Sequence, residues 1–303
     1  MKHSNTCLLI AVTIASGSLL SVPHGSAQAI PETREYSRNG EISPGAQAPS
    51  PDAMLAAINN GSAVSLRATL EYGERVVCQQ CVPLLERKLL ASGDARVREM
   101  SAWWLRRQPF AGPAVLTTLK QVATTDPSAE RRARAAEALG EFMDPHGLAA
   151  LTTAAKDADV TVRVSAVRAL ARLNNEGSVP VLTGALSDGA VEVRSAALDV
   201  LMLVAGMRDF SALLPLLADA DAGVRAHAAR LCGELRLASA ENTLSAVLTG
   251  DPAPSARKAA AWALGRIGGA TGRATLTQRE GTETDPFVLS AIAVAKRMPT
   301  RAP

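Results

Sequence analysis

One short phrase recurs six times along this 303-residue chain, and its spacing limits the folds open to it. The phrase runs from an Asp through an Arg to an Ala and then an apolar residue, as in Asp159, Arg163, Ala166 and Leu170. Its arginines are separated by 34, 31, 31, 31 and 32 residues, and they are Arg98, Arg132, Arg163, Arg194, Arg225 and Arg257. A repeat of this length predicts stacked supersecondary units, each of which buries its apolar face only against its neighbours.

Each unit is predicted to contain two helices. Before the phrase, apolar residues recur at helical spacing, as in Leu148, Leu151 and Ala155. The phrase Asp is placed to cap the second helix by accepting its free N–H groups; the six are Asp94, Asp126, Asp159, Asp188, Asp221 and Asp251. The recurring Arg is expected to bond an Asp or loop carbonyls of a neighbouring repeat, forming a structural ladder. The predicted fold is all-α, an α-solenoid of stacked two-helix repeats.

The chain divides into four predicted segments. Residues 1–29 have the features of a signal peptide, with Lys2 at the start, an apolar stretch from Leu8 to Val22 and small residues at Ala27 and Ala29. Residues 30–51 are rich in Pro, Gly and Ser and predict a flexible linker. Residues 52–75 predict N-terminal capping helices, and residues 76–298 the solenoid. We therefore expect a periplasmic or secreted protein, without membrane insertion once the leader is cleaved.

The composition gives little reason to expect nucleic acid or an anionic membrane as a partner. The chain has 32 basic and 29 acidic residues, and aromatic residues make up only 3% of it. This balance does not favour binding to nucleic acid or to an anionic membrane surface. The sequence leaves the oligomeric state open, with a monomer as the simplest expectation.

The phrase also resembles a known family. The Asp, Arg, Ala and Ala-Leu-Gly pattern of Asp126 to Gly140 and of Asp251 to Gly265 is similar to the short HEAT-like repeat first described in phycobilisome lyases. The resemblance covers Val76 to Ile267, with a degenerate last copy from Asp285 to Arg297. It implies an α-solenoid whose second helices line the concave side and which binds other proteins. One enzymatic branch, deoxyhypusine hydroxylase, holds two irons with His-Glu pairs. None of His3, His24, His146 and His227 is followed by Glu, so that activity is not implied.

The second helices predict a binding face. Positions two, five and nine after the recurring Arg should form one exposed stripe, which is mostly charged but carries Trp at position five of the first and last units. Exposed Trp and Arg dominate interface energetics, so we predict partner binding by Trp103, Arg107, Arg168, Arg172, Arg230, Trp262 and Arg266. In an alternative interpretation, Trp103 folds over its own repeat edge beside Trp104, and Trp262 covers the C-terminal cap. The predicted function is a non-enzymatic scaffold or adaptor that holds a protein partner.

Cys78 and Cys81 form the one motif with possible chemistry. A covalent haem site would need His after Cys81, and Val82 stands there. Zinc would need two further ligands nearby, so we expect no metal and no cofactor. A disulfide that staples the first repeat remains, with a thiol-disulfide redox or maturation factor as the alternative function. We expect Cys232, at a packed Leu position, to be a buried inert thiol.

Overall fold

The computed structural model describes residues 48–204 and 206–300, and every regular element in these residues is a helix. The all-α prediction is confirmed. The predicted leader (1–29), and the predicted linker up to residue 47, lie outside the described residues. Residues 48–50 have no regular structure, and the first helix begins at Pro51.

Consecutive helices pack against each other in pairs, and short turns join them. Fifteen α-helices are described in residues 48–204 and 206–300: α1 Pro51–Asn60, α2 Ala63–Tyr72, α3 Cys81–Ala91, α4 Ala95–Arg106, α5 Gly112–Thr125, α6 Ala129–Phe142, α7 Leu148–Ala154, α8 Val160–Leu173, α9 Val179–Ala185, α10 Val191–Val200, α11 Ala222–Glu234, α12 Glu241–Gly250, α13 Pro254–Ile267, α14 Ala270–Glu280 and α15 Pro286–Arg297. The second helices of the repeats are α4, α6, α8, α10, α11, α13 and α15, and each packs against the next.

The recurring phrase builds the core. Its Ala lies three or four positions after the Arg and its apolar residue seven positions after. Every side chain at these two positions is at least 99% buried: Ala102, Ala136, Ala166, Ala197, Ala228 and Ala261, then Leu105, Leu139, Leu170, Leu201, Cys232 and Leu264. Burying one Leu side chain contributes about 1.5–3 kcal/mol, so the repeated Leu accounts for a large part of the solenoid's stability.

Glycine sets the closest approach of neighbouring second helices. A Cβ added to Gly140 in α6 would lie 2.8 Å from the Cα of Ala169 in α8. A Cβ on Gly265 in α13 would lie 2.6 Å from the Cα of Ala295 in α15. No side chain fits at these crossings, which explains why the Ala-Leu-Gly pattern ends in Gly there.

The caps of the second helices differ from the prediction at three units. Asp94, Asp159 and Asp221 are N-cap residues, as expected, and accept a hydrogen bond from the first turn of their helix. In the other three units the N-cap residue is Ser128, Ala190 or Ala253, two positions after the phrase Asp. The prediction that Asp126, Asp188 and Asp251 are caps is therefore wrong. The phrase Asp thus stands either at the N-cap or two residues before it, and repeat spacing alone does not distinguish these two positions.

The fifth unit departs from the two-helix pattern. Its first element consists of two short 3-10 turns, Ser211–Leu213 and Pro215–Ala218, so the predicted α-helix is not formed. Pro215 cannot donate the backbone hydrogen bond that an α-helix spanning this segment would require. The preceding second helix also ends early, at Val200, and a 3-10 turn, Leu201–Leu203, follows it.

The first helix pair closes the N-terminal end of the stack. Ser50 caps α1 and Pro51 stands at its first turn, as the sequence indicates. The buried side chains of this pair are Met54, Ile58, Leu66 and Leu70. They belong to the same hydrophobic core as four residues of α3 and α4: Leu85, Leu89, Trp104 and Leu105. The indole Nε1 of Trp104 donates a 3.1 Å hydrogen bond to the carbonyl of Gly73, which joins the pair to α4.

Candidate functional site

The recurring arginines form a ladder that joins successive turns. Arg163 in α8 donates from Nε and Nη2 to both carboxylate oxygens of Asp188 in the next unit, at 2.9 Å each. Its Nη1 donates to the carbonyls of Asp157 and Ala158 in its own unit. Four more rungs repeat this geometry: Arg132 with Asp157, Arg194 with Asp219, Arg225 with Asp251 and Arg257 with Glu283. The expected ladder is confirmed for these five arginines, which are thus occupied within the fold.

The ladder carboxylates are held ionised. The guanidinium of Arg132 lowers the pKa of Asp157, and Arg225 lowers that of Asp251, in each case more than burial raises it. The effect is largest at Glu283, whose pKa the hydrogen bond from Arg257 lowers to about 2. Each carboxylate also accepts a backbone N–H two residues later, as Asp188 does from Ala190. These contacts favour the charged form, so the ladder is intact at neutral pH.

The first recurring arginine is the exception. Arg98 donates to the carbonyls of Ser92 and Gly93 in its own unit, like the others, but its second partner is Glu137 in α6, at 3.1 Å. The acid of the next turn, Asp126, binds Arg131 instead. The ladder therefore has no rung between the first and second repeats, and Arg98 contributes to the surface between their second helices.

A polar cleft of about 190 Å³ lies at this place, across α4, α6 and α8. Its charged lining consists of Arg98, Glu99, Arg134, Glu137, Glu141, Arg168 and Arg172. Arg172 forms an ion pair with Glu141. Arg168 is exposed, and within residues 48–204 and 206–300 it makes no hydrogen bond or ion pair. Arg168 thus carries the one unpaired guanidinium of the cleft, since Arg98, Arg134 and Arg172 are each paired with a Glu within the described residues.

Trp103 and Arg107 are brought together at the N-terminal end of the face. The guanidinium of Arg107 stacks 4.3 Å from the centre of the Trp103 ring, and its Nε donates to Glu74 at 2.8 Å. Trp103 is half-buried, whereas Trp104 is fully buried. Glu74, in the turn before α3, is a partner that sequence spacing did not indicate.

Trp262 and Arg266 lie together near the other end. The guanidinium of Arg266 stands 5.7 Å from the centre of the Trp262 ring. The ring itself packs back toward α11, since a Cβ on Gly233 would lie 2.7 Å from its Cζ3. In the alternative interpretation Trp262 covers the C-terminal cap. The observed contact is instead with α11, and the Trp262 side chain is half-buried between α11 and α13.

Arg230 belongs to a third cluster, with His227 and Asp199. Arg230 Nη2 lies 2.9 Å from His227 Nε2, and His227 Nδ1 lies 3.7 Å from the Asp199 carboxylate in α10. Burial, and then the charge of Arg230, lower the pKa of His227. The sequence identified no carboxylate partner for His227, because Asp199 lies in the preceding repeat.

Position two of the predicted stripe is not a solvent-facing row. Ser165 and Ala196, at this position in the third and fourth units, are buried. Positions five and nine carry the exposed groups, which include Arg168, Arg172 and Arg230. We call positions five and nine of the second helices the second-helix face: Trp103, Arg107, Glu137, Glu141, Arg168, Arg172, Asp199, Leu203, Arg230, Glu234, Trp262 and Arg266.

The three cysteines of the described residues are buried. The Sγ atoms of Cys78 and Cys81 lie 2.01 Å apart, and both residues are buried where α3 begins. Cys232 is fully buried, and burial raises its pKa to about 12, which fits the inert thiol expected from the sequence. Among residues 48–204 and 206–300, no group of three or more His, Cys, Asp or Glu is placed to hold a metal ion. His146 lies exposed in a turn, beside Asp144.

The repeat geometry agrees with a comparison against known families. The family described as HEAT repeats matches residues 116–202 and 210–296. The chain belongs to the HEAT-repeat family. The two matched stretches are separated by residues 203–209, next to the irregular first element of the fifth unit. Comparison with curated proteins gives no match.

Solved structures share this HEAT-repeat architecture. YibA of E. coli is 19% identical, with a TM-score of 0.54, over 81% of this chain and 92% of its own. A Kap121p mutant is 15% identical with a TM-score of 0.57, over 81% and 31%. The S. pombe condensin Cnd3-Cnd2 subcomplex is 18% identical with a TM-score of 0.55, over 82% and 37%. At these identities the likeness concerns the fold alone. Within the described residues, no helix of this HEAT-repeat protein has the length and apolar character needed to cross a membrane.

Proposed function

We propose that this HEAT-repeat protein is a non-enzymatic scaffold of the periplasm, and that it holds a partner protein along the second-helix face. The observation that carries the proposal is Arg168. It stands exposed in the cleft across α4, α6 and α8 without a partner among the described residues, whereas the ladder arginines are all paired. An exposed Arg on a rigid helix face is a typical interface anchor. Its guanidinium is weakly hydrated and binds a carboxylate with two hydrogen bonds, so desolvating it at an interface costs less than desolvating a Lys ammonium.

The rest of the face supports the same assignment. Trp103 and Trp262 lie at its two ends, each beside an Arg that is stacked on it. Such amphipathic pairs supply large contact area with a charged rim. The periplasmic location rests on the leader predicted at residues 1–29. The S. pombe condensin neighbour was solved as a subcomplex, which is one instance of this architecture within an assembly.

We further propose that Cys78 and Cys81 form a closed structural disulfide. Both side chains are buried in the hydrophobic core, and Cys81 is the first residue of α3. A partner thiolate must reach a sulfur to exchange with it, and burial prevents that approach. This is why the redox or maturation function is the less favoured alternative.

The experiment that tests the scaffold function is affinity capture from a periplasmic extract. The bait is the chain from Ile30 to Pro303, compared with Arg168→Glu and with the control Arg87→Glu on the first helix α3. Arg87 is exposed and unpaired among the described residues, so the two variants change net charge equally. Loss of a specific partner in the Arg168 variant alone supports the proposal. Equal capture by both variants contradicts it.

A further inference from the structure

The last two second helices lack acidic residues. Neither α13, Pro254–Ile267, nor α15, Pro286–Arg297, contains an Asp or Glu. The other second helices, except α8, all carry at least one acidic residue. We call the surface that these two helices share the C-terminal patch and define it by Lys258, Trp262, Arg266, Phe287 and Val294.

Aromatic and apolar groups are exposed within this patch. Phe287 is 69% exposed and Val294 is 48% exposed. Lys258 Nζ lies 5.9 Å from the centre of the Phe287 ring, so this pair crosses from α13 to α15. Val294 occupies in α15 the position that Trp262 occupies in α13, because each lies nine residues after the N-cap of its helix. Exposed apolar groups that interleave with cations in this way are typical of an interaction surface.

The cations of the patch are available to a ligand. Across residues 48–204 and 206–300, Lys258 makes no ion pair or hydrogen bond. Arg266 likewise makes no ion pair or hydrogen bond in these residues, and its guanidinium stands 5.7 Å from the centre of the Trp262 ring. Two neighbouring cations are occupied: Arg257 binds Glu283, and Lys296 binds Glu280.

We propose that the C-terminal patch binds a protein segment in which acidic and apolar side chains alternate. Carboxylates of the segment pair with Lys258 and Arg266, while its apolar side chains contact Trp262, Phe287 and Val294. This proposal rests on the scaffold function and adds the chemistry of the partner. Charge complementarity selects an acidic segment because the patch has no carboxylate of its own to repel one.

Nucleic acid fits this surface less well. A protein that binds DNA through its phosphates typically uses about 6–10 cationic contacts, and the patch has two available cations. The cationic surface also does not extend along the whole row of second helices, since α10 carries Glu192 and Asp199. The apolar side chains would find no equivalent partner on a phosphate backbone.

The test uses fluorescence anisotropy with the full mature chain and three labelled probes. These are a 12-residue peptide of alternating Glu and Leu, the same peptide with Gln for Glu, and a 12-nucleotide oligothymidylate. We expect the Glu peptide to bind at least ten-fold more tightly than the Gln peptide and the oligonucleotide. We expect Lys258→Glu with Arg266→Glu to weaken it at least ten-fold, and the control Arg75→Glu with Arg87→Glu, which makes the same charge change on exposed residues elsewhere, to leave it unchanged.

Two further variants separate charge from packing. Phe287→Ala should weaken binding of the Glu peptide at least three-fold, whereas Val64→Ala, which removes an equally exposed apolar group from α2, should not. Circular dichroism confirms that each variant is folded. The proposal is overturned if the Glu peptide does not bind, if the two peptides bind equally, or if the oligonucleotide binds more tightly. Capture of a partner through Arg168 in that case would leave the scaffold function standing.

Discussion

The guanidinium of Arg163 binds both carboxylate oxygens of Asp188, 25 residues further along the chain, and at the same time two carbonyls of its own turn. One side chain therefore joins the turns of two successive repeats. Both partners are about 85% buried as side chains. Bidentate pairs of this kind combine energy with fixed geometry, so the ladder sets the stacking of the turns.

We predict that Arg163→Lys destabilises the protein nearly as much as Arg163→Ala. A Lys ammonium cannot reproduce the planar fork that contacts Asp188 and the carbonyl of Asp157 together. Removing one partner of a largely buried pair costs about 3 kcal/mol. Urea unfolding measures the loss. Arg168→Ala, the exposed control in the same helix, should change the free energy of unfolding by less than about 0.5 kcal/mol. Wild-type stability of the Lys variant would refute the ladder's role.

The stability that Glu283 contributes should depend on pH. Its pKa is about 2 in the folded protein against an ordinary value of 4.5, so ionisation favours the folded state. The contribution is fully present above pH 4.5 and is lost as the pH falls through 2. Glu283→Gln should therefore cost about 3 kcal/mol at pH 7 and progressively less in acid.

The measurement is thermal or urea unfolding of wild type and Glu283→Gln between pH 7 and pH 2. Glu280→Gln serves as the control, because Glu280 is exposed and pairs only with Lys296 at the surface. Its effect should stay below about 1 kcal/mol across the range. A difference for Glu283 that does not shrink in acid would show that its charge is not the cause.

Two glycines should respond oppositely to the same substitution. Gly265→Ala places a Cβ 2.6 Å from Ala295 and should destabilise by about 1–3 kcal/mol, because α13 and α15 must move apart. Gly184→Ala, in α9, meets nothing within 4 Å and should stabilise by about 0.5–1 kcal/mol through helix propensity. Differential unfolding of the two variants checks this. Equal effects would mean that the second helices are not in close contact.

The cysteine pair should behave as a structural disulfide. Cys78→Ser with Cys81→Ser should lower the free energy of unfolding by about 2 kcal/mol, since the loop that the bond closes is short. Thiol-disulfide exchange with glutathione should be slow in the native protein, because both residues are buried. Mass spectrometry of alkylated protein follows the exchange. Rapid exchange of the native pair would favour the redox alternative instead.

The sequence predicted the repeat and the ladder because both depend on periodic residues. The Ala and Leu of each phrase are buried at nearly fixed positions. Each ladder Arg stands 25 or 26 residues before its acidic partner in the sequence. Repeat spacing could not separate a cap such as Asp159 from a ladder acid such as Asp188, because both stand beside the start of a second helix.

Contacts between repeats were harder to predict. Asp199 meets His227 and Glu74 meets Arg107 only because neighbouring units pack at a particular distance and rotation. No single repeat contains that information. The exposed Phe287 was also missed, because it lies in α15, outside the six copies of the phrase, and the phrase carries no signal for an aromatic residue there.

The central claim is that a partner protein lies on the second-helix face, and site-specific photo-crosslinking tests it most directly. A photo-reactive phenylalanine replaces Arg168 in one variant and Arg87, on the first helix α3, in another, and both are irradiated in intact cells that express the full chain. We predict one discrete crosslinked protein from position 168 and none from position 87. Equal crosslinking at both positions, or crosslinking at position 87 alone, would contradict the account.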